Sequence, residues 1–465
     1  MSEQKVIIVG AGLAGSLLSI YLAKRGIEVE VYEARPDMRS TEMSAGRSIN
    51  LALSDRGIKA LNEVGMDEYM LREAIPMYGR LVHDVEGNTK MLPYSGREGE
   101  FINSVSRGGL NLALINEADN YRESRFYFER RCIDFDCRSG EVLIRNERTG
   151  EEHEVFGSTV IATDGAGSAV RRAMMNGGVP RFNYSQDFLE HGYKELSIPP
   201  GVDGTFQMEK NALHIWARRS FMMIALPNFD GSYTCTLFLA HKGENSFESI
   251  DSGAYPSARP NGKEGSSSAA LIRFFEDHFA DSIPLIGNLE HEYFTNPTGD
   301  LGTVKCFPWY AGDKALLLGD SAHAVVPFYG QGMNASFEDC RIFDELIDRH
   351  GTDWGLVFEE YSEVRKENTD AIADMAVENF YEMRDAVADP VFQRKRELET
   401  RLEQEHPDYF SKYSLVTFRE DVPYSEAMRR GNAQDRLLME ICAREPETAA
   451  IDTEQVLAEI KALAI

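Results

Sequence analysis

The opening of the chain, residues 5–33, has the pattern strand, helix, strand. Lys5–Val9 is a short run dominated by apolar, β-branched residues, which is typical of a strand buried in a parallel sheet. Apolar residues then recur at helical spacing over residues 13–25, and Gly26 follows as a helix-ending residue. Glu28–Tyr32 has a second strand pattern. This order predicts an α/β fold built on a β-α-β unit.

Further along, the pattern separates into segments of different type. Residues 55–64 have the pattern of an amphipathic helix, and residues 78–94 have that of a β-hairpin. Residues 181–297 alternate as antiparallel strands, whereas residues 303–345 return to strand, turn and helix. The chain after residue 346 is almost wholly helical and rich in charge. Short strands are also predicted around Phe126, Ile133, Val142 and Val155, and a helix near Gly109.

Three glycines follow the first strand in the spacing G-x-G-x-x-G. Gly10 permits the tight turn, Gly12 lets backbone approach a pyrophosphate, and Gly15 lets the helix pack on the strand. The phosphates would lie at the helix N-terminus, where unpaired N–H groups and the dipole favour anions. Glu33 ends the second strand, where it can accept hydrogen bonds from a ribose. We therefore expect a dinucleotide site, because the alternative of a glycine-rich turn in another α/β fold explains neither the spacing nor the acid.

Composition and charge narrow the range of partners. With 43% hydrophobic and 27% charged residues among 465, we expect a water-soluble globular protein of two or three domains. The net charge of −27 argues against nucleic acid and anionic membranes, so local cations must hold any anionic ligand. No apolar run reaches the roughly 18 residues of a membrane span, and the first strand begins too early for a signal peptide. Six scattered cysteines predict reduced thiols and a cytoplasmic protein, not a disulfide framework or a zinc site.

Two further segments carry candidate chemistry. If the hairpin turns at Gly87, Arg80 and Tyr94 lie across from each other, because both are seven residues away. A guanidinium beside a phenol suits a carboxylate, since the planar fork makes two charge-assisted hydrogen bonds. In residues 327–334, two glycines before a helix would present N–H groups to a negative charge. The alternative for Arg80 is a surface cation on an exposed strand. The alternative for residues 327–334 is an ordinary turn at the start of a helix.

Three separated motifs resemble the fingerprints of one enzyme family. GAGLAG at the N-terminus, Asp164-Gly165 and Gly319-Asp320 stand in the order found in the group A flavoprotein aromatic hydroxylases. The resemblance implies that the first motif holds the adenosine diphosphate of FAD, the second meets FAD and NAD(P)H, and Asp320 meets the flavin ribose. It also implies that there is no separate nicotinamide domain. The residues expected to bind FAD are Gly10, Gly12, Leu13, Ala14, Gly15, Glu33, Arg35, Arg47, Arg107, Asp164, Gly165, Asp320, Gly330, Gly332, Met333 and Asn334.

Longer strings are similar to the kynurenine 3-monooxygenases within that family. They are GRSINLALSDRG (46–57), SVSRGGLN (104–111), VPFYGQGMN (326–334), ENFYEMRD (378–385) and YSLVTF (413–418). With the hairpin they extend the likeness over roughly residues 5–430. The likeness implies substrate contacts at Arg80, Tyr94, Asn379, Tyr413, Phe328 and Tyr329. Considered by themselves, Asn379 could instead make an internal hydrogen bond, and Tyr413 could serve packing alone.

The implied reaction is hydroxylation of L-kynurenine at ring position 3, in tryptophan catabolism by the kynurenine pathway. FAD would be bound, and NADPH and dioxygen would be co-substrates. In the family the reaction passes through a flavin C4a-hydroperoxide, so we expect no catalytic side chain and no metal, and we assign His323 only a structural hydrogen bond. Another group A hydroxylase acting on a phenolic acid, and a non-catalytic flavin- or nucleotide-binding protein, remain alternatives. We expect a monomer or homodimer.

The resemblance also implies a domain organisation. A Rossmann-like FAD-binding domain would be interleaved with a mainly antiparallel substrate domain of the p-hydroxybenzoate hydroxylase type, and a helical C-terminal region would follow. We place the FAD domain at residues 1–75, 100–180 and 298–345, the substrate domain at 76–99 and 181–297, and the helical region at 346–465. The chain departs from the family at Tyr329, where several relatives have histidine. It also ends in an acidic amphipathic pattern, where eukaryotic members have a hydrophobic anchor.

Overall fold

The computed structural model of the chain describes residues 4–40, 50–255, 265–386 and 389–463. The strands of this part are β1 (Lys5–Val9), β2 (Glu28–Tyr32), β3 (Asn50–Leu53), β4 (Ile75–Met77), β5 (Gly79–His83), β6 (Thr89–Pro93), β7 (Ile102–Ser106), β8 (Ser124–Tyr127), β9 (Arg130–Phe135), β10 (Val142–Asn146), β11 (Glu152–Val155), β12 (Thr159–Ala162), β13 (Asn183–Ile198), β14 (Ala212–Ala217), β15 (Met222–Pro227), β16 (Tyr233–Ala240), β17 (Gly299–Phe307), β18 (Tyr310–Ala311) and β19 (Ala315–Leu317). The α-helices are α1 (Leu13–Lys24), α2 (Asp55–Glu63), α3 (Asp67–Arg72), α4 (Arg107–Ala118), α5 (Ala169–Ala173), α6 (Phe247–Asp251), α7 (Ser267–His278), α8 (Leu289–Thr295), α9 (Asp320–His323), α10 (Gly332–His350), α11 (Trp354–Tyr381), α12 (Pro390–Glu405), α13 (Lys412–Thr417), α14 (Tyr424–Arg444) and α15 (Thr453–Lys461).

The first sheet has six strands in the order β18-β19-β12-β1-β2-β8. Its strands are parallel except for the short edge strand β18. The predicted first and second strands are confirmed residue for residue, and helix α1 ends one residue earlier than predicted. Strand β1 lies between β2 and β12 and is buried from Val6 onward, which explains its continuous apolar run. The carboxyl ends of β1, β2, β12 and β19 therefore meet at one edge of this sheet.

The second large sheet has seven strands in the order β17-β13-β16-β15-β14-β5-β6. Neighbouring strands are antiparallel except for the parallel pair β14 and β5, so the predicted antiparallel character is confirmed. Strand β17 pairs with β13 from Asn183 opposite Phe307 onward, although we placed residues 298–307 in the other domain. The 16-residue length of β13 is the physical reason, since it can pair with β16 on one side and β17 on the other.

The hairpin of β5 and β6 differs in register from the prediction. Arg80 lies opposite Leu92, and Tyr94 follows two residues later, so Tyr94 is a diagonal neighbour of Arg80 instead of its direct partner. Gly87 has a left-handed φ of 84° and lies late in the turn that the Asp84 to Asn88 backbone hydrogen bond closes. The turn is therefore centred one residue earlier than predicted.

Helices occupy the described chain beyond residue 346 almost entirely, as predicted. One hydrophobic core lies between the six-stranded sheet and the helices α1, α4, α10 and α11, and a second lies between the seven-stranded sheet and α11, α13 and α14. The acidic C-terminal pattern becomes α15, whose Val456, Leu457 and Ile460 pack with Leu398 and Leu402 of α12. No helix among the described residues has both the length and the apolar character needed to span a membrane.

Candidate active site

The three glycines of the first motif have three different surroundings. A Cβ atom on Gly15 would lie 2.0 Å from the Gly10 carbonyl oxygen, and one on Gly10 would lie 2.7 Å from the Thr163 carbonyl oxygen. Gly10 also has a left-handed φ of 99°, which suits glycine. By contrast, a Cβ atom on Gly12 would have no atom of the described residues within 4 Å, apart from those of its chain neighbours. Packing therefore explains Gly10 and Gly15, whereas Gly12 borders open space in front of α1, as the prediction of a pyrophosphate site requires.

Glu33 lies at the end of β2, beside this space. Its Oε2 accepts a 2.8 Å hydrogen bond from the Ala11 N–H, and its Oε1 accepts a 2.8 Å hydrogen bond from the Arg35 N–H. Burial by itself would raise the pKa of Glu33, but the hydrogen bonds and charge of Arg35 outweigh burial and lower that pKa. The carboxylate is therefore ionised at neutral pH and can act as a hydrogen-bond acceptor for a ribose. Arg35 lies on its solvent side, where its side chain pairs with Glu33.

Asp164 and Asp320 follow the neighbouring strands β12 and β19, so the second and third motifs meet at the same sheet edge. Asp164 Oδ2 accepts a 2.8 Å hydrogen bond from the Ala169 N–H, while its buried Oδ1 has no hydrogen-bond partner in the described chain. Gly165 follows with a left-handed φ of 77°. Asp320 is exposed; desolvation by the surrounding protein raises its pKa, and the nearby Arg107 guanidinium opposes that rise. Arg107 begins α4 with an exposed side chain.

The loop before α10 presents backbone N–H groups. A 3₁₀ turn, Pro327–Tyr329, leads to Gly330 with a left-handed φ of 68°, and α10 begins at Gly332. The first hydrogen bond of this helix runs from Ala335 N–H to the Gln331 carbonyl, so the preceding N–H groups, including that of Met333, have no intrahelical acceptor. This geometry is that of an anion-binding helix N-terminus.

Asn334, predicted to bind the cofactor, uses its side chain inside the protein. Its Nδ2 donates to the Ala52 carbonyl at 2.8 Å and to the Gly330 carbonyl at 2.9 Å. Its Oδ1 accepts from the Ser54 N–H at 3.0 Å. The side chain therefore shapes the loop, and only the backbone N–H of Asn334 remains for a cofactor contact. Arg47, another predicted cofactor residue, lies outside the described residues.

These groups fit FAD. The open space at Gly12 admits a pyrophosphate, and the N-termini of α1 and α10 supply N–H donors. Glu33 supplies an ionised acceptor, and the unpartnered Asp164 Oδ1 lies at the same edge of the sheet. No grouping of three or more His, Cys, Asp or Glu side chains suited to a metal ion occurs in the described ranges.

Arg80 lies against a stack of tyrosine rings that the sequence did not predict as a stack. The Tyr94 and Tyr413 rings are 5.2 Å apart and nearly parallel, and the Tyr413 and Tyr329 rings are 5.7 Å apart. The guanidinium carbon of Arg80 lies 5.0 Å from the Tyr413 ring centre and 5.7 Å from that of Tyr94. The contact is a cation–π arrangement at a half-buried cation. The surface-cation alternative for Arg80 does not describe this placement.

The hydroxyl of Tyr94 is buried and has no hydrogen-bond partner within the described ranges. Burial, followed by the neighbouring Tyr413, raises the pKa of Tyr94 well above its ordinary value, and Arg80 opposes the rise. Tyr94 therefore keeps its proton at neutral pH and can donate one hydrogen bond. A buried hydroxyl without a partner is destabilising, so this group is a candidate for a ligand contact.

A small cavity of about 30 Å³, partly open to solvent, lies beside the stack. Of the six predicted substrate residues, Arg80, Tyr329, Asn379 and Tyr413 line it. Tyr94 and Phe328 lie one layer behind: Tyr94 stacks on Tyr413, and the Phe328 carbonyl accepts a 2.6 Å hydrogen bond from Asn379 Nδ2. Asn379 thus makes the internal hydrogen bond that we kept as an alternative and also faces the cavity. Tyr413 likewise packs and faces the cavity.

The cavity also has a charged end that sequence reasoning missed. Lys395 Nζ lies 2.6 Å from Asp435 Oδ1 and 3.2 Å from Glu399 Oε1. Burial raises the pKa of Asp435 to about 6, although Lys395 opposes the rise. The only signal in the sequence was the i, i+4 spacing of Lys395 and Glu399, which by itself indicates a solvated helix face.

A second missed feature is a buried ionic network below the α10 loop. Glu338 accepts a 2.7 Å hydrogen bond from Arg56 Nη1 and a 2.6 Å hydrogen bond from Arg365 Nη1. Arg365 Nε donates to Asp339 Oδ1 at 2.7 Å, and Asp339 Oδ2 is 2.6 Å from His323 Nε2. The predicted structural hydrogen bond of His323 is therefore confirmed.

This network ties three parts of the site together. Asp339 Oδ2 also accepts from the Gly319 N–H at 3.2 Å, next to the third motif. Arg56 Nε donates to the Val416 carbonyl at 3.1 Å, and its Nη2 donates to the Arg419 carbonyl at 3.0 Å, both beyond the start of α13. The network thus joins the Gly319 turn, helix α10 and the segment that carries Tyr413.

Comparisons with known proteins agree with this geometry. A family model described as "FAD binding domain" matches residues 3–200. The kynurenine 3-monooxygenase of Myxococcus xanthus is 46% identical over 459 residues, covering 98% of this chain and 95% of that protein. The kynurenine 3-monooxygenase of Dictyostelium discoideum is 42% identical and covers 94% of this chain and 93% of that protein.

Solved structures of other oxygenases share the fold. A tetrameric form of 2-methyl-3-hydroxypyridine-5-carboxylic acid oxygenase aligns with a TM-score of 0.62 at 18% identity, covering 86% of this chain and 98% of that one. The p-nitrophenol 4-monooxygenase of Pseudomonas putida aligns with a TM-score of 0.63 at 15% identity, covering 94% and 98%. Together with the near full-length relatives, the fold and its FAD-binding edge show that this chain belongs to the kynurenine 3-monooxygenase family of FAD-dependent monooxygenases.

Proposed function

We propose that this chain hydroxylates L-kynurenine at ring position 3, with bound FAD and with NADPH and dioxygen as co-substrates. The relatives that carry the name of this reaction cover nearly the whole chain. The observation that carries the proposal is the cation–tyrosine cluster of Arg80, Tyr94 and Tyr413 beside a cavity. It offers a carboxylate a local cation in a protein whose overall charge is −27.

The proposed carboxylate site combines two kinds of donor. Arg80 supplies a planar guanidinium, and Tyr94 supplies a buried hydroxyl that lacks a partner in the described chain. Both can donate to one carboxylate, whose two oxygens accept several hydrogen bonds. Asn379 and Tyr413 line the same cavity and would contact the rest of the substrate's amino-acid end.

The proposed ring site is continuous in sequence with the proposed flavin loop. Phe328 and Tyr329 directly precede Gly330 and the N-terminus of α10. The Phe328 ring packs between Phe238 and Phe380 at 4.9 and 4.5 Å, so it forms a fixed apolar wall. When bound and reduced by NADPH, FAD activates dioxygen for transfer to an electron-rich ring. The residues of this chain orient the ring, exclude water and supply N–H donors beside the developing charge.

The proposal is tested by following NADPH oxidation by the FAD-loaded protein, with and without L-kynurenine, while 3-hydroxykynurenine is quantified. We expect faster oxidation with one product formed per NADPH consumed. Oxidation stimulated by p-hydroxybenzoate but not by L-kynurenine would support the rival phenolic-acid hydroxylase. Bound flavin without NADPH consumption under either condition would support a non-catalytic role.

Tyr94→Phe separates a role in binding from a role in the fold. Because the hydroxyl has no partner in the described chain, we expect its loss to leave the melting temperature unchanged or slightly higher. We expect the KM for L-kynurenine to rise roughly tenfold, since one hydrogen bond to a charged group is lost. Thermal melts and steady-state kinetics measure the two effects. Tyr293→Phe, which removes another buried unpartnered hydroxyl from a separate core, should leave KM unchanged.

We also propose the following domain boundaries. The FAD domain comprises residues 1–75, 100–180 and 308–345, with the substrate sheet at 76–99 and 181–307 and the helical region from 346 onward. The pairing of β17 with β13 supports the boundary at residue 307.

We further propose that the chain is a monomer or homodimer in the cytoplasm and has no nucleic-acid partner. The six free cysteines support the cytoplasmic location, and the net negative charge argues against nucleic acid.

A further inference from the structure

Two histidines form a hydrogen-bonded chain on the face of the seven-stranded sheet opposite Arg80. His83 lies on β5 three residues after Arg80, so the two side chains point to opposite faces. His83 Nδ1 is 2.8 Å from Asp281 Oδ2, and His83 Nε2 is 2.9 Å from His214 Nδ1. His214 Nε2 is in turn 2.7 Å from the Glu209 carbonyl oxygen. The chain connects β5 to β14 and to the turn after α7.

The hydrogen bonds of this chain fix the number of protons on the two imidazole rings. The Glu209 carbonyl can only accept, and so can the Asp281 carboxylate, to which the Trp216 N–H donates at 2.9 and 3.0 Å. The contact between the two rings needs one further proton. Three hydrogen bonds therefore need three protons on the two imidazoles, whereas two neutral imidazoles carry two. All three hydrogen bonds are made only if the His83–His214 pair carries one positive charge.

The surroundings place this charge on His83. Burial lowers the pKa of His214 to about 4, which keeps that ring neutral. Burial by itself would raise the pKa of Asp281, but the hydrogen bonds from His83 and Trp216 outweigh burial and lower it. His83 stacks on Trp216 with 4.1 Å between ring centres. An ionised carboxylate thus lies in direct contact with the ring that has both protons.

Charged and aromatic side chains of the neighbouring elements surround the pair. Arg218, after β14, donates to the His83 carbonyl at 2.9 Å and to the Asp84 carbonyl at 3.0 Å, and so ties the β5–β6 turn to the sheet. Tyr233 of β16 meets His214 edge to face with 5.5 Å between ring centres. Asp281 and Glu209 are the acids that act on His214, whereas Asp281, Asp84 and Glu86 act on Arg218.

We propose that His83 is a positioning residue, and that the extra proton of the His83–His214 pair holds β5 in the place from which Arg80 binds the substrate carboxylate. The hairpin is an edge of the sheet, and β14 is the neighbour of β5 toward the interior of that sheet. Loss of the proton removes one of the three hydrogen bonds: if the rings keep their protons toward Asp281 and the Glu209 carbonyl, two imidazole lone pairs face each other between β5 and β14. The part of this inference that concerns Arg80 rests on the proposed function, whereas the proton count does not.

The proton count is tested on the FAD-loaded wild-type chain labelled with ¹⁵N-histidine. Nitrogen NMR at pH 7 is expected to show one ring of the pair with both nitrogens protonated and one neutral ring protonated at Nε2. A pair with two neutral rings at pH 7 would overturn the proposal. This measurement needs no turnover, so it stands even if L-kynurenine is not the substrate.

The link to Arg80 is tested by the pH dependence of kinetics. We expect the KM for L-kynurenine to rise roughly tenfold, the size expected for one charged hydrogen bond, as the pair titrates, with kcat changing less than KM. In Asp281→Asn the amide nitrogen can donate to a neutral His83, so the three hydrogen bonds of the pair form without the charge, and the amide oxygen still accepts from the Trp216 N–H. The KM of this variant should therefore lose its alkaline rise.

Asp230→Asn is the matched control, because it removes an acid from the turn of another hairpin in the same sheet. It should keep the wild-type pH profile. An Asp281→Asn profile that retains the alkaline rise would contradict the link between the pair and Arg80. If Asp281→Asn does not fold, the test is whether the wild-type KM and the NMR signals of the pair titrate together; separate midpoints would contradict the link.

Discussion

Arg80→Ala is expected to raise the KM for L-kynurenine roughly 10- to 150-fold while FAD stays bound. The side chain is the cation of the tyrosine stack, and its loss removes a charge-assisted hydrogen bond worth about 1.5–3 kcal/mol. We expect kcat at saturating substrate to fall less than kcat/KM, because binding energy is lost from both ground state and transition state. Steady-state kinetics with product quantified, together with the flavin absorbance of the purified protein, measure both effects.

Two variants sharpen this expectation. Lys90→Ala removes an exposed cation from the partner strand of the same hairpin and should leave KM within about twofold, since exposed ion contacts contribute little. Arg80→Lys keeps the charge but loses the planar fork and should fall between wild type and Arg80→Ala. Lost flavin with an unchanged KM in Arg80→Ala would place this arginine in the cofactor site and remove the proposed carboxylate contact.

The elements predicted most accurately from the sequence are those that neighbouring residues determine by themselves. Strands β1 and β2 and the glycine turn between β1 and α1 follow from apolar runs and from backbone that only glycine permits. The strand β17 was assigned to the other domain, because its partner β13 begins over a hundred residues earlier and pairing is not encoded in either strand alone. The predicted pairing of the hairpin is wrong by two residues, because the turn is centred one residue before Gly87.

The candidate site also has some features that local motifs predict and others that form only on folding. Open space at Gly12 and the ionised Glu33 could be expected from motif spacing. The tyrosine stack could not, because Tyr94, Tyr329 and Tyr413 come from separate segments and meet only after folding. The chain after residue 346 was predicted only to be helical and rich in charge. Several of its charged side chains are buried, which is possible where carboxylates and guanidinium groups satisfy one another.

Arg365→Met is expected to lower the free energy of unfolding by about 3–5 kcal/mol, the range for removing one partner of a buried ion pair. Arg365 is 1% exposed, and its loss leaves Glu338 with only Arg56, and Asp339 with only the imidazole of His323, as side-chain partners of this network in the described chain. Urea unfolding followed by tryptophan fluorescence measures the loss. Trp309 is a local probe, since its ring lies 5.3 Å from that of His323.

The same variant should also weaken FAD binding, because Asp339 accepts the Gly319 N–H beside Asp320. Lys366→Met is the matched control: it removes the next cation on α11, whose partner Asp370 is partly exposed, and should cost less than about 1 kcal/mol. Glu338→Gln and Asp339→Asn, added to Arg365→Met, neutralise the two acids that lose their arginine. They should restore part of the free energy of unfolding, because uncompensated buried charge causes the loss. Equal losses in Arg365→Met and Lys366→Met would show that helix α11, and not the buried network, determines the effect.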